Sequence, residues 1–169
     1  MVTRILEVFN SPGVDGLVCN LLMVWVALAF SVLGPSLLGI TFGAGVAGAR
    51  DAPWTPPGWF IGAVWVCLYT LLGLALWTLN RVPQVSPGSE KLGVFVLLAV
   101  LVTWTFYAFS PTSRWPGLLG NLAILVISVF VVWRLWPHSR PAALMVVPTA
   151  IWILIATATI LDGARRYGW

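Results

Sequence analysis

Charged residues punctuate this chain and leave long apolar runs between them. No Asp, Glu, Lys or Arg lies between Asp15 and Arg50, Asp51 and Arg81, Lys91 and Arg114, Arg114 and Arg134, or Arg140 and Asp162. Each run is long enough for a helix that crosses a bilayer, which takes roughly 17–25 apolar residues. The pattern predicts helices near 17–40, 57–80, 92–110, 116–136 and 141–163. Five spans put the two termini on opposite sides of the membrane. The expected fold is all-α, an integral membrane bundle of five transmembrane helices, with residues 1–169 forming one domain.

The breaks between runs carry turn chemistry. Thr41 to Thr55 is rich in Gly and Ala and ends in Arg50-Asp51 and the run Pro53-Trp54-Thr55-Pro56-Pro57-Gly58-Trp59. Two prolines cannot continue a helix but suit the first turn of a new one. Indoles such as Trp54 and Trp59 favour the membrane interface, with the ring in the apolar layer and the N–H in the wet one. Pro83, Pro87 and Gly88 mark a second turn, Ser110 to Arg114 a third, and Trp136 to Pro141 a fourth. Pro35 and Pro148 fall inside the first and last spans and are expected to kink them.

Composition agrees with the spans. The chain is 60% hydrophobic and 8% charged, against about 25% charged in a soluble domain. A net charge of +4 is dispersed over loops and termini. It reads as membrane-flanking charge and argues against nucleic acid as a partner. The split of positive residues is five against four, which does not fix an orientation. Cys19 and Cys67 lie in apolar segments and read as small hydrophobes.

Helical periodicity groups large and small residues. Gly58, Gly62, Trp65, Tyr69, Gly73 and Leu76 share one face of the second span. Leu97, Leu101, Trp104 and Ala108 do so on the third, and Pro148, Trp152, Ala156, Thr159 and Gly163 on the fifth. Two readings fit: three indole stripes enclosing a flat apolar cavity, or small residues that let helices pack closely around buried Trp. The spacings Gly39–Gly43 and Gly58–Gly62 allow close helix approach, read as local packing ahead of a dimer interface.

No catalytic constellation is visible. His138 is the single histidine and sits in a turn, so it reads as a solvated residue and not a haem ligand. Asp162 lies at the end of the last predicted span, within a turn of Arg165 and Arg166. That spacing suits a surface ion pair and disfavours a proton- or ion-coupled pump.

The run Pro53 to Trp59, with Trp65, Leu68-Tyr69, Gly73, Ala75 and Trp77, resembles the second-helix signature of the TspO/translocator protein family, the tryptophan-rich sensory proteins. Trp104 with Phe106, Tyr107 and Phe109 is similar to the third-helix aromatic motif. Pro148, Trp152 and Ala156 are similar to a fifth-helix pattern. The resemblance implies a five-helix membrane protein that binds porphyrins or sterol-like molecules below the first loop, frequently as a homodimer. It implies a ligand-binding set of Trp54, Trp65, Tyr69, Leu101, Trp104, Pro148, Trp152 and Ala156, with no catalytic and no metal residues. Porphyrin or haem would be a ligand, not an obligatory cofactor.

Departures from the family pattern remove polar anchors. Leu97 and Leu101 stand where the family carries Gln and Asn. Thr149 and Ile160 replace Tyr and Asn, and Ile61, beside Phe60, replaces Phe. The resulting expectation is a membrane binding protein for a flat apolar ligand, acting in sensing, transport or regulation in a bacterial cell membrane. A porphyrin-degrading enzyme with Trp65 as a redox neighbour, or a small structural accessory subunit, are the alternatives.

Overall fold

The computed structural model describes residues 2–40, 54–82, 89–108 and 115–167. The described residues form six helices: α1 (Val2–Phe9), α2 (Val14–Leu37), α3 (Gly58–Leu79), α4 (Ser89–Tyr107), α5 (Trp115–Leu135) and α6 (Arg140–Tyr167). α2 to α6 are each long and apolar enough to cross a membrane. The protein is therefore all-α and multi-pass, as the charge-free runs predicted. α1 was not predicted: it is short, amphipathic and carries Arg4 and Glu7, so it leaves no apolar run. Several expected turn residues lie outside the described residues, namely 41–53 with Arg50, Asp51 and Pro53, then Pro83, Pro87, Gly88 and Phe109 to Arg114.

The five spanning helices close into a ring. α2 packs on α3 and α4, α3 also packs on α6, and α5 sits between α4 and α6. α3 and α4 face each other across the ring with much slighter contact. Contact between α2 and α3 depends on Gly73. A Cβ there would lie 2.9 Å from Val24 Cγ2 and 3.3 Å from the Asn20 carbonyl. Only hydrogen at that position allows the approach.

α2 ends as its sequence dictates. Gly39 adopts φ +73, its N–H donates to the Ser36 carbonyl at 3.1 Å, and the Ile40 N–H donates to Pro35 at 2.9 Å. This is a Schellman stop, which favours glycine. Gly39 thus ends the helix, and Gly43, four residues on, lies outside the described residues. Cys67 is exposed on the outer surface rather than buried, and Cys19 is half-buried.

Packing is uneven along the ring. One end, where α3 finishes and α4 starts, is solid: Leu72, Leu76 and Leu79 meet Val94, Leu97, Val131, Leu135 and Val146 in a single core. We term this the N-terminal face, because α1 also lies there. At the opposite, far end α3 is loosely held. None of residues 58–67 is buried, whereas Leu68, Tyr69, Leu72, Gly73, Ala75, Leu76 and Leu79 all are.

The N-terminal face is also closed by a polar clamp on residues 9–13. Asn80 Nδ2 donates to the carbonyls of Phe9 (2.8 Å) and Ser11 (3.0 Å). Asn20 Nδ2 donates to Phe9 as well (3.0 Å), Trp77 Nε1 to Gly13 (3.0 Å) and Arg81 Nε to Pro12 (3.4 Å). Lys91 Nζ donates to Asn10 Oδ1, and Phe9 packs against Phe95 with ring centres 5.8 Å apart. Backbone carbonyls entering an apolar bundle need donors, because an unpaired buried polar group costs about 1–3 kcal/mol. Two helices, α2 and α3 with its C-terminal end, supply them here.

Two outcomes follow. Asn80→Ala should lower stability in detergent by about 1–3 kcal/mol and expose the N-terminal segment to protease. Asn80→Asp should do the same, since it exchanges the donor for an acceptor; unchanged melting for both would refute the clamp. Tags at the two termini should be cleaved from opposite sides of sealed vesicles, because five spans separate them.

Candidate ligand-binding site

The site is built where α3 loosens. Its helix starts from a rigid entry: Pro57 has φ −63 and ψ 150, and its carbonyl accepts from the N–H groups of Phe60 (2.9 Å) and Ile61 (3.1 Å). Proline at this point sacrifices no helical hydrogen bond. Trp54, just upstream, is tied to the far end of α6. Its Nε1 donates to Asp162 Oδ2 at 3.2 Å, and the same oxygen takes Arg166 Nε at 2.9 Å. The expected surface pair of Asp162 is present, with Trp54 added to it.

Trp65 and Trp104 come together across the ring, with centroids 6.3 Å apart and planes inclined by 38°. Trp65 also meets Tyr69 edge-on at 6.3 Å. One turn before Trp65, Gly62 has open space: nothing approaches within 4 Å of the point where a Cβ would sit. Gly62, Trp65 and Tyr69 share one face of α3. An indole pair thus stands one turn from an exposed, unobstructed glycine, in the half of α3 where no residue is buried.

Trp104 is positioned from behind by α5. Its Nε1 donates to the Gly117 carbonyl at 3.3 Å. A Cβ on Gly120 would fall 2.5 Å from Trp104 Cδ1 and 2.7 Å from the Tyr107 hydroxyl. Glycine at 120 therefore lets the indole lie flat on the α5 backbone.

The other expected residues divide into wall and core. Trp152 is half-buried and meets Phe60, at 6.4 Å, rather than the Trp65–Trp104 pair. Phe60 thereby provides an aromatic neighbour although Ile61 stands at the family's Phe position. Pro148 and Ala156 are half-buried on α6. Tyr69 and Leu101 are each only 1% exposed and belong to the sealed core, with Leu97 beside them. Trp54 sits at the rim. Trp115 and Trp136, at helix ends, are exposed as interfacial residues should be.

Asn121 was missed by the sequence reading. It is fully buried on α5, and its Nδ2 donates to Thr157 Oγ1 on α6 at 3.2 Å. Its Oδ1 takes no partner, and neither do the buried Ser128 Oγ and Thr149 Oγ1. The signal was available as an Asn in a charge-free run, but the search for intramembrane polarity considered only charges.

The chain was compared with known proteins. The sequence model of the TspO/MBR family matches residues 22–162, which runs from within α2 to near the end of α6 and leaves out α1 and the clamped stretch. The chain is 28% identical over 112 residues to the tryptophan-rich protein TspO of Archaeoglobus fulgidus, covering 66% of this chain and 72% of that protein. It is 32% identical over 116 residues to translocator protein 2 of Mus musculus (64% and 70%). It is 31% identical over 122 residues to protein CrtK of Rhodobacter capsulatus (69% and 74%).

The two glycines separate packing from open space. Gly120→Ala should destabilise the protein by about 1–3 kcal/mol by overpacking against Trp104 and Tyr107. Gly62→Ala should leave the melting temperature unchanged. Equal effects of the two, read by thermal unfolding with Trp fluorescence, would mean that the space beside Gly62 is closed.

Proposed function

Because the chain belongs to the TspO/MBR family, we propose that it binds a flat apolar ligand, a porphyrin or a sterol-like molecule, within the membrane between α3, α4 and α6. The observation that carries this reading is the Trp65–Trp104 pair beside the open flank of Gly62. A planar ligand entering there stacks on indole faces, with Trp152 and Phe60 as the next aromatic surface along α6 and α3. Stacking adds about 0.5–1.5 kcal/mol per ring beyond burial, and burial itself gives about 25 cal/mol per Å² of apolar surface. The setting is a bacterial cell membrane, and the role is reception or carriage of the ligand.

The polar inventory suits an apolar guest. Leu97 and Leu101, at the family's Gln and Asn positions, are packed in the core. Recognition then rests on shape and ring stacking, with few polar contacts to fix orientation.

Titration of the purified protein with protoporphyrin, followed by quenching of its 11 tryptophans, tests the proposal. Saturable quenching at one ligand per chain is expected. Trp65→Leu and Trp104→Leu should each weaken binding about ten-fold, which is 1.4 kcal/mol. Trp115→Leu should not alter affinity. Equal weakening by Trp115→Leu, or loss of stability alone in the Trp65 variant, would rule out a pocket at the pair.

A further inference from the structure

A second binding feature lies at the opposite end of the bundle, on its outer surface. Between α4 and α5 an open groove of about 430 Å³ runs from the N-terminal face into the membrane zone. Its walls are Leu92, Gly93 and Val96 on one side and Ile127, Phe130, Val131 and Trp133 on the other, and Arg134 and Glu90 stand at its mouth. A second groove, of about 540 Å³, lies along the other flank of α5 and shares Trp133 and Arg134. The two grooves meet at one guanidinium.

Arg134 is placed to receive an anion there. One of its nitrogens lies 3.7 Å from Glu90 Oε1, a long ion pair whose carboxylate is buried while the Arg134 side chain is 43% exposed. A guanidinium carries five N–H donors, so that pair orients the group and leaves outward donors for a further acceptor. More basic groups lie at the same level: His138, whose Nδ1–H donates to the Arg134 carbonyl at 3.0 Å, and Arg140, stacked 5.9 Å above the Trp136 ring. Trp133 and Trp136 are both exposed, matching indoles at headgroup depth.

With the Glu90 carboxylate buried and the Arg134 guanidinium exposed, the mouth presents a cation at interface depth above apolar walls, which suits an amphiphile with an anionic head and a long hydrocarbon tail. From this geometry we infer that the α4–α5 groove is a site for an anionic phospholipid of the leaflet at the N-terminal face. The phosphate is held by Arg134, and an acyl chain lies between Val96 and Phe130. The site is separate from the Trp65–Trp104 region and does not rest on the ligand proposed there.

Native mass spectrometry of the full chain provides the test, after equilibration with equal amounts of phosphatidylglycerol and phosphatidylcholine of identical chains. One retained phosphatidylglycerol per protein is expected, at about a five-fold preference, the value of one basic residue near a membrane surface. Arg134→Gln should bring the ratio close to unity, Arg134→Lys should keep it, and Arg165→Gln on the far face should leave it unchanged. Val96→Trp fills the groove and should remove the retained lipid even if Arg134→Gln fails to fold. Equal retention of both lipids by the unaltered protein, or persistent preference in Arg134→Gln, would overturn the site. Cross-linking of Val96→Cys between two copies with no retained lipid would also overturn it, by showing that a second copy fills the groove.

Discussion

The approach of α2 to α3 at Gly73 governs the rest of the ring. Val24 and the Asn20 carbonyl lie where a side chain on residue 73 would be, so the helices touch along their N-terminal-face halves. That contact draws Leu72, Leu76 and Leu79 into the core. Asn20 and Asn80 are thereby close enough for both to grip the Phe9 carbonyl. A membrane offers no hydrophobic force between helices, so close backbone approach and internal hydrogen bonds must supply the cohesion. Here both are concentrated at one end, and the far half of α3 is free of comparable constraint.

That asymmetry leaves the first turns of α3 lightly packed without loosening the rest of the fold. Buried, close-packed side chains supply most of the cohesion in such an interior. The solid core and the carbonyl clamp lie at the N-terminal face, and the lightly packed stretch is α3 residues 58–67, next to the rigid Pro56-Pro57 entry. The entry is held from the other side by Trp54 on Asp162. The loosely packed stretch is thus fixed at both ends, by proline and indole above and by the core below.

Much of this was legible in the sequence. The five spans followed from charge spacing alone, since hydrocarbon excludes charge far more strongly than any propensity acts. Trp65 and Trp104 were readable as inward-facing because helical period places each among small or apolar neighbours. What could not be read is which stripes meet. Trp152 has the same periodic credentials as Trp65, yet it lies against Phe60, because ring closure puts α6 beside the outer turns of α3. Contact between stripes depends on helix order and rotation, and single-helix period carries neither. α1 was invisible for another reason: an eight-residue amphipathic helix has too short a run for a span, and the donors that hold it come from positions 20, 77, 80, 81 and 91. Tyr69 and Leu101 share a face with the indoles but sit deeper, where the core is closed; period gives the face and not the depth at which packing ends.

The losses on α4 and the polar atoms on α5 fit one scheme. A Gln or Asn at 97 or 101 would be enclosed by Leu72, Leu76 and Val94-type neighbours and would need a partner there, so leucine is the side chain that the dense half accepts. Polarity appears instead on the α5–α6 seam, where Asn121 is tied to Thr157 and the Thr157 hydroxyl to the Ile153 carbonyl. Hydrogen bonds between transmembrane helices are modest in strength but directional. The Asn121–Thr157 bond therefore fixes the register of α5 against α6. In doing so it holds Gly117 and Gly120 under Trp104 and Tyr107. On this account the Trp104 indole is positioned by a polar contact on the far side of its own supporting helix. The apolar stripe on α4 and the polar seam behind it then serve one requirement: Trp104 has a rigid support on α5 where the first turns of α3 bury no residue.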